Sequence, residues 1–115
     1  MTDGREYDKL VRDEIPEIIH KSGETPIVHV ADDVEYGERL ADKLGEETAE
    51  FRESGDLDEL ADVLEVIRAI CRHRDVEFEH IETIREEKAS ERGGFSDRIV
   101  LDAVESPSQE SNSTS

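Results

Sequence analysis

Two pairs of carboxylates share one spacing: Glu47-x-x-Glu50 and Glu59-x-x-Asp62. On an α-helix, each pair places two acids one turn apart on one side. With about 100° per residue, Glu47 falls at the centre of the apolar stripe set by Leu40, Leu44 and Phe51, and Glu50 lies to its side. Glu59 falls inside the apolar arc of the following segment, and Asp62 just past its edge beside Val66. In a chain with 32 acidic residues, such spacings arise by chance on solvated faces. Placement against the apolar stripes is what separates these four. An unpaired buried carboxylate costs several kcal/mol, and a divalent cation shared by the two pairs would remove that cost. Oxygen ligands without Cys or His at ligand spacing suit Mg²⁺ or Mn²⁺, and Mg²⁺ commonly completes its shell with waters and substrate phosphates.

The elements that must position these acids are helical. A first helix covers Leu10 to Lys21, or begins near Pro16, because Pro disfavours α geometry at Ile15. Asp33 is placed to cap a second helix, Val34 to Glu53, which Ser54-Gly55 ends. Asp56 is placed to cap a third, Leu57 to about Arg74, with Glu59 in capping-box position. A fourth runs from Glu77 to Arg92 and stops at Gly93-Gly94. The short Ser54-Gly55 link makes helices two and three antiparallel neighbours. Thr25–Val30 and Arg98–Leu101 read as short extended pieces able to pair. The expected fold is all-α, a four-helix domain over residues 1–102, followed by a disordered acidic, Ser-rich tail over 103–115. On helix three, Leu57, Leu60, Val63, Leu64, Val66, Ile67, Ile70 and Cys71 spread over about half the circumference, wider than one buried face requires. A second chain is therefore expected against it, as a homodimer with a tetramer as the alternative.

Composition narrows the function. The 115 residues carry a formal net charge of -18, with 40% charged and 34% apolar residues. A phosphate polymer would be repelled, so nucleic acid is not an expected partner. No run approaches the roughly 18 apolar residues that span a bilayer. The first residues show no basic stretch followed by an apolar one, so a secretory signal is not expected. The single Cys71 forms no internal disulfide. Of the basic residues only Lys9, Lys21, Lys43 and Lys88 are lysines. This acid-rich, lysine-poor balance suggests a very salty cytoplasm, where screening shortens charge repulsion.

With both acid pairs located, the chain resembles the all-α NTP pyrophosphatase superfamily, the MazG-like enzymes. Their hallmark is E-E-x-x-E followed on the next helix by E-x-x-D. Here it reads Glu46-Glu47-Thr48-Ala49-Glu50 and Glu59-Leu60-Ala61-Asp62. The opening string from Tyr7 to Ile19 and the closing Arg92-Gly93-Gly94-Phe95 are similar to a branch of house-cleaning pyrophosphatases of noncanonical nucleotides, related to phosphoribosyl-ATP pyrophosphohydrolase. The link between the acid pairs, Phe51 to Asp58, is shorter than in typical MazG domains. The resemblance implies a four-helix MazG-like bundle that hydrolyses a nucleoside triphosphate to monophosphate and pyrophosphate with Mg²⁺. It implies Glu47, Glu50, Glu59 and Asp62 as metal ligands and Glu46 as an auxiliary acid, together the catalytic set. Within so acidic a chain, Lys9, Arg12, Lys88 and Arg92 are the candidates for the substrate phosphates.

Plainer roles compete for several of these. Lys88 and Arg92 share a face at a helix C-terminus and complement its dipole. Lys9 and Arg12 can pair with Asp8, Asp13 or Glu14, and Lys43 can neutralise Glu47 in the cation-free state. Cys71 lies on an apolar stripe and reads as core. His20, His29, His73 and His80 share no ligand spacing, and no Walker-type loop is present. Two other functions remain open: a phosphoribosyl-ATP pyrophosphatase of histidine biosynthesis, and a non-catalytic acidic helical module that binds a nucleotide or a protein.

Overall fold

The computed structural model describes residues 4–107. It has four α-helices and, among the described residues, no strand: α1 (Ile15–Lys21), α2 (Asp33–Ser54), α3 (Leu57–His73) and α4 (Phe78–Arg92). Helix α1 starts at Ile15, not Leu10, with Pro16 in its first turn, where a missing N–H costs nothing. It ends at Ser22, whose hydroxyl donates to the Ile19 carbonyl (2.7 Å).

The cap of α2 is Asp32 rather than Asp33. Asp32 has extended backbone angles and its carboxylate accepts from the Glu35 N–H at 2.9 Å. Asp33 is already helical and adds negative charge to the first turn. Gly55 ends the helix at φ 71°, a left-handed conformation that costs glycine little, and its N–H donates to the Phe51 carbonyl at 2.7 Å. Asp56 precedes α3 without a side-chain cap bond, so the expected capping box does not form. The Asp56 N–H donates to Ser54 Oγ at 3.0 Å, and the Glu59 carboxylate lies with the acids of α2.

Helices α2 and α3 pack as an antiparallel hairpin. The start of one lies beside the end of the other at Gly37 and His73, and the reverse holds at Glu47 and Glu59. The apolar residues buried there are Leu40, Val66 and Cys71, which places Cys71 in the core. The hairpin does not cover all of α3: Leu57 is 78% exposed, and Leu60 and Leu64 are exposed too.

The two extended candidates form no ladder. Ile27 and Val30 are almost fully exposed, as are Ile99 and Val100 to a lesser degree, and Arg98 adopts φ 61°. β-branched residues favour an extended backbone, but a strand needs a partner's hydrogen bonds. The chain divides into two compact units at His80/Ile81. The second unit holds the rest of α4, a left-handed Gly93 (φ 83°) and a following segment with an exposed Phe95. Residues 103–107 are exposed and irregular, and the remainder of the expected tail, 108–115, lies outside the described residues. No helix among the described residues is long and apolar enough to cross a membrane.

Candidate functional site

Helix α2 brings Glu46, Glu47 and Glu50 to the loop end of the hairpin, and α3 brings Glu59 and Asp62. Glu47 is the one buried charged residue among the described residues, its side chain only 9% exposed. One of its oxygens, Oε2, lies 3.0 Å from the Lys43 ammonium, one turn earlier on α2. The other, Oε1, is buried without a hydrogen-bond partner among the described residues, and so is Oε1 of Glu59. Leaving a buried acceptor unmet costs about 1–3 kcal/mol, and more if it is charged.

One oxygen from each of Glu47, Glu50 and Glu59 lies within 4.8 Å of the others. Oxygens around one Ca²⁺-sized ion can be up to about 5 Å apart and those around one Mg²⁺ up to about 4.2 Å, so the three are gathered at the spacing of a shared cation, and a small side-chain movement brings them to the smaller ion. Two orphaned oxygens in the same place supply the demand for one. The electrostatics agree. Burial, then the charges of Glu50, Asp62 and Glu47, then a hydrogen bond with Glu50, push the Glu59 carboxyl above its ordinary range. A cation would reverse each of the charge effects.

The bases at the rim hold the other acids. Arg12 Nη2 lies 2.7 Å from Asp62 Oδ1. Asp62 is thus near enough to act on Glu59, while its carboxylate stands outside the three-oxygen group. Lys9 Nζ lies 3.1 Å and Lys43 Nζ 3.4 Å from the two oxygens of Glu46. Burial pushes Glu46 up, but Lys9 and Lys43 outweigh it and hold the carboxyl below the usual range. Burial pulls Lys43 down, but Glu47 and Glu46 outweigh it and leave the ammonium above the usual lysine value.

The structure therefore brings together Glu46, Glu47, Glu50, Glu59, Asp62, Lys9 and Arg12. Lys88 and Arg92 lie on the exposed part of α4 that belongs to the second unit. One participant is absent from the sequence reading. Arg39 of α2 donates to the Asp8 carbonyl and carboxylate, both at 2.9 Å, and so fixes the segment carrying Lys9 and Arg12. Asp8 adopts φ 48°, which Asp tolerates better than most residues. The i, i+4 pair of Arg39 with Glu35 (3.1 Å) was legible in the spacing, but its reach to Asp8 was not. The histidines are structural or exposed: His73 packs edge-on to Tyr36 (5.0 Å) and His29 meets Glu35 (2.8 Å). An open cleft of about 420 Å³, lined by Val34, Gly37, Leu40, Ile70 and His73, lies at the opposite end of the hairpin from the acids.

No protein-family model and no solved structure matches the chain. A protein of Mycolicibacterium smegmatis described as uncharacterized is 52% identical over 44 residues, which cover 38% of this chain and 45% of the relative. The chain thus matches less than half of that relative's length.

Proposed function

We infer that the chain is a MazG-like, Mg²⁺-dependent nucleoside triphosphate pyrophosphohydrolase, with Mn²⁺ as an alternative ion, acting on noncanonical nucleotides. The observation that carries this reading is the pair of buried, unpartnered oxygens on Glu47 and Glu59, beside Glu50, at the junction of two helices. A solvated acidic face has no such orphaned atoms, and a structural hairpin gains nothing from them. Glu47, Glu50, Glu59 and Asp62 would hold the cation. When bound, it supplies a water of lowered pKa and positive charge against the α–β phosphoanhydride.

The chain's own residues do the rest. Lys43 ties one Glu47 oxygen and leaves the other unpartnered among the described residues, in a residue grouped with Glu50 and Glu59. Glu46, held by Lys9 and Lys43, is placed to accept a proton or orient a water at the rim. Lys9 and Arg12, the bases that reach the acids from the segment before α1, meet the phosphates. The exposed Leu57, Leu60 and Leu64 support assembly as a homodimer across α3. The acid-rich composition supports function in a salty cytoplasm.

The test is a panel of canonical and noncanonical nucleotides with Mg²⁺ in molar KCl, with pyrophosphate and orthophosphate measured separately. Pyrophosphate release without orthophosphate is the expected result. A double substitution, Glu47→Gln with Asp62→Asn, abolishes both release and Mg²⁺ binding. Preferred turnover of phosphoribosyl-ATP would move the assignment to histidine biosynthesis. Silence across the panel would favour a non-catalytic binding module.

A further inference from the structure

The two bases that reach the acids from outside the hairpin are already engaged. Lys9 holds Glu46 and Arg12 holds Asp62. Both lie on one short segment before α1, anchored one residue earlier by the two Arg39–Asp8 bonds. The anchor and the two engaged bases differ in exposure. Arg39 is 24% exposed, whereas Arg12 is 57% exposed. Arg12 can leave its carboxylate by side-chain rotation while the segment stays fixed to α2.

Charge at the site makes this exchange consequential. Five carboxylates (Glu46, Glu47, Glu50, Glu59 and Asp62) face three bases (Lys9, Arg12 and Lys43), which leaves two negative charges in excess when all are ionised. One divalent cation cancels that excess. With Lys9 and Arg12 in place, a second cation would overload the cluster, and Arg12 holds one oxygen of Asp62 and offsets its charge. With both bases turned away, the acids carry two further uncompensated charges and both oxygens of Asp62 are released from the guanidinium.

Resting on the cation site described above, we propose that Lys9 and Arg12 form a displaceable clamp that couples cation loading to phosphate binding. Without substrate they act as fixed counter-charges on Glu46 and Asp62 and limit the site to one divalent ion. A polyphosphate offers them oxygens of higher charge density. They transfer to it, and the freed Asp62 admits further positive charge. The clamp thus keeps a strongly acidic protein from rejecting a polyanion, and it ties the full cation complement to the presence of substrate.

The test reads binding rather than turnover. Mn²⁺ is titrated calorimetrically into the protein and into Arg12→Ala, and tripolyphosphate is then titrated at saturating Mn²⁺. The clamp requires opposite signs: Mn²⁺ binds roughly two- to fivefold tighter to Arg12→Ala, as expected for loss of an exposed competing ion pair. Tripolyphosphate binds roughly tenfold weaker or worse, as expected for loss of a charged hydrogen bond. In the unsubstituted protein the Mn²⁺ stoichiometry rises above one only when tripolyphosphate is added. Unchanged or weaker Mn²⁺ binding by Arg12→Ala, with normal binding by the unsubstituted protein, overturns the clamp and leaves the cation site standing. No Mn²⁺ binding by the unsubstituted protein overturns both. Because Arg12→Ala could impair folding, the Arg12 guanidinium resonance is also followed by NMR in the unsubstituted protein. It shifts on addition of Mg²⁺ with tripolyphosphate if the clamp opens, and a resonance that stays in place overturns the proposal.

Discussion

The Lys43 ammonium lies 3.0 Å from Oε2 of Glu47, while Oε1 of the same carboxylate is buried with no partner among the described residues. One side of the carboxylate is satisfied within its own helix, and the residue lies with Glu50 of the same helix and Glu59 across the hairpin. Lys43 is itself only 15% exposed. The pair is therefore a local device that makes a buried acid tolerable while leaving one of its oxygens without a partner among the described residues.

Removing the base should expose that dependence. Lys43→Met keeps the aliphatic length and deletes the charge, leaving Glu47 buried with neither oxygen paired. Loss of a hydrogen bond to a charged group predicts about 1.5–3 kcal/mol lower stability without divalent ions. Mg²⁺ should restore part of it. Urea unfolding of both proteins, with chelator and with Mg²⁺, measures this, and equal stability in chelator would refute it.

Glu59 sets a pH dependence of known sign. Its folded carboxyl titrates above the ordinary range, pushed up by burial and then by Glu50, Asp62 and Glu47. The favourable contribution of such a group is complete below its unfolded pKa and disappears as pH rises through its raised folded pKa. Relative to Glu59→Gln, the chelated protein should therefore lose stability over the interval that starts at the ordinary glutamate range and extends upward in pH. Glu46 has the opposite shift and works against acidification lower on the scale. Unfolding curves of the two proteins across that interval decide the matter: parallel pH profiles would remove Glu59 from the cluster.

The exposed face of α3 predicts an association state. Leu57, Leu60 and Leu64 recur at helical spacing and are all exposed in the single chain. Leu60→Glu should convert a dimer into a monomer in sedimentation at micromolar concentration. An unsubstituted protein that sediments as a monomer would refute the assembly.

Net charge predicts a salt response. At -18, self-repulsion opposes compaction. Screening lengths fall from about 10 Å at 0.1 M salt to about 3 Å at 1 M, so the melting temperature should rise from low to molar KCl. A flat or falling curve would contradict salt adaptation.

Much of the site was legible along the chain. Helical periodicity placed Glu47 on an apolar stripe and Glu59 within an apolar arc, and the structure buries an oxygen of each. Gly55 and Gly93 end their helices at positive φ as the spacing indicated. Choices that depend on close competition were not legible. Asp32 and Asp33 are adjacent potential caps, and only the backbone angles at Asp32 decide between them. The capping box at Asp56 does not form: Ser54 takes the Asp56 N–H, and Glu59 lies with the acids across the hairpin. The segment Thr25–Val30 has strand composition but forms no strand among the described residues.

By itself, then, the sequence determined which residues lie on which helical face, because that follows from a fixed turn per residue acting over short range. Only the tertiary structure decided who meets whom. Arg12 reaches Asp62 across 50 residues and Arg39 reaches Asp8 across 31. Many acids were equally suitable partners for either guanidinium. The path of the chain around the hairpin selects among them, and no local periodicity encodes that path.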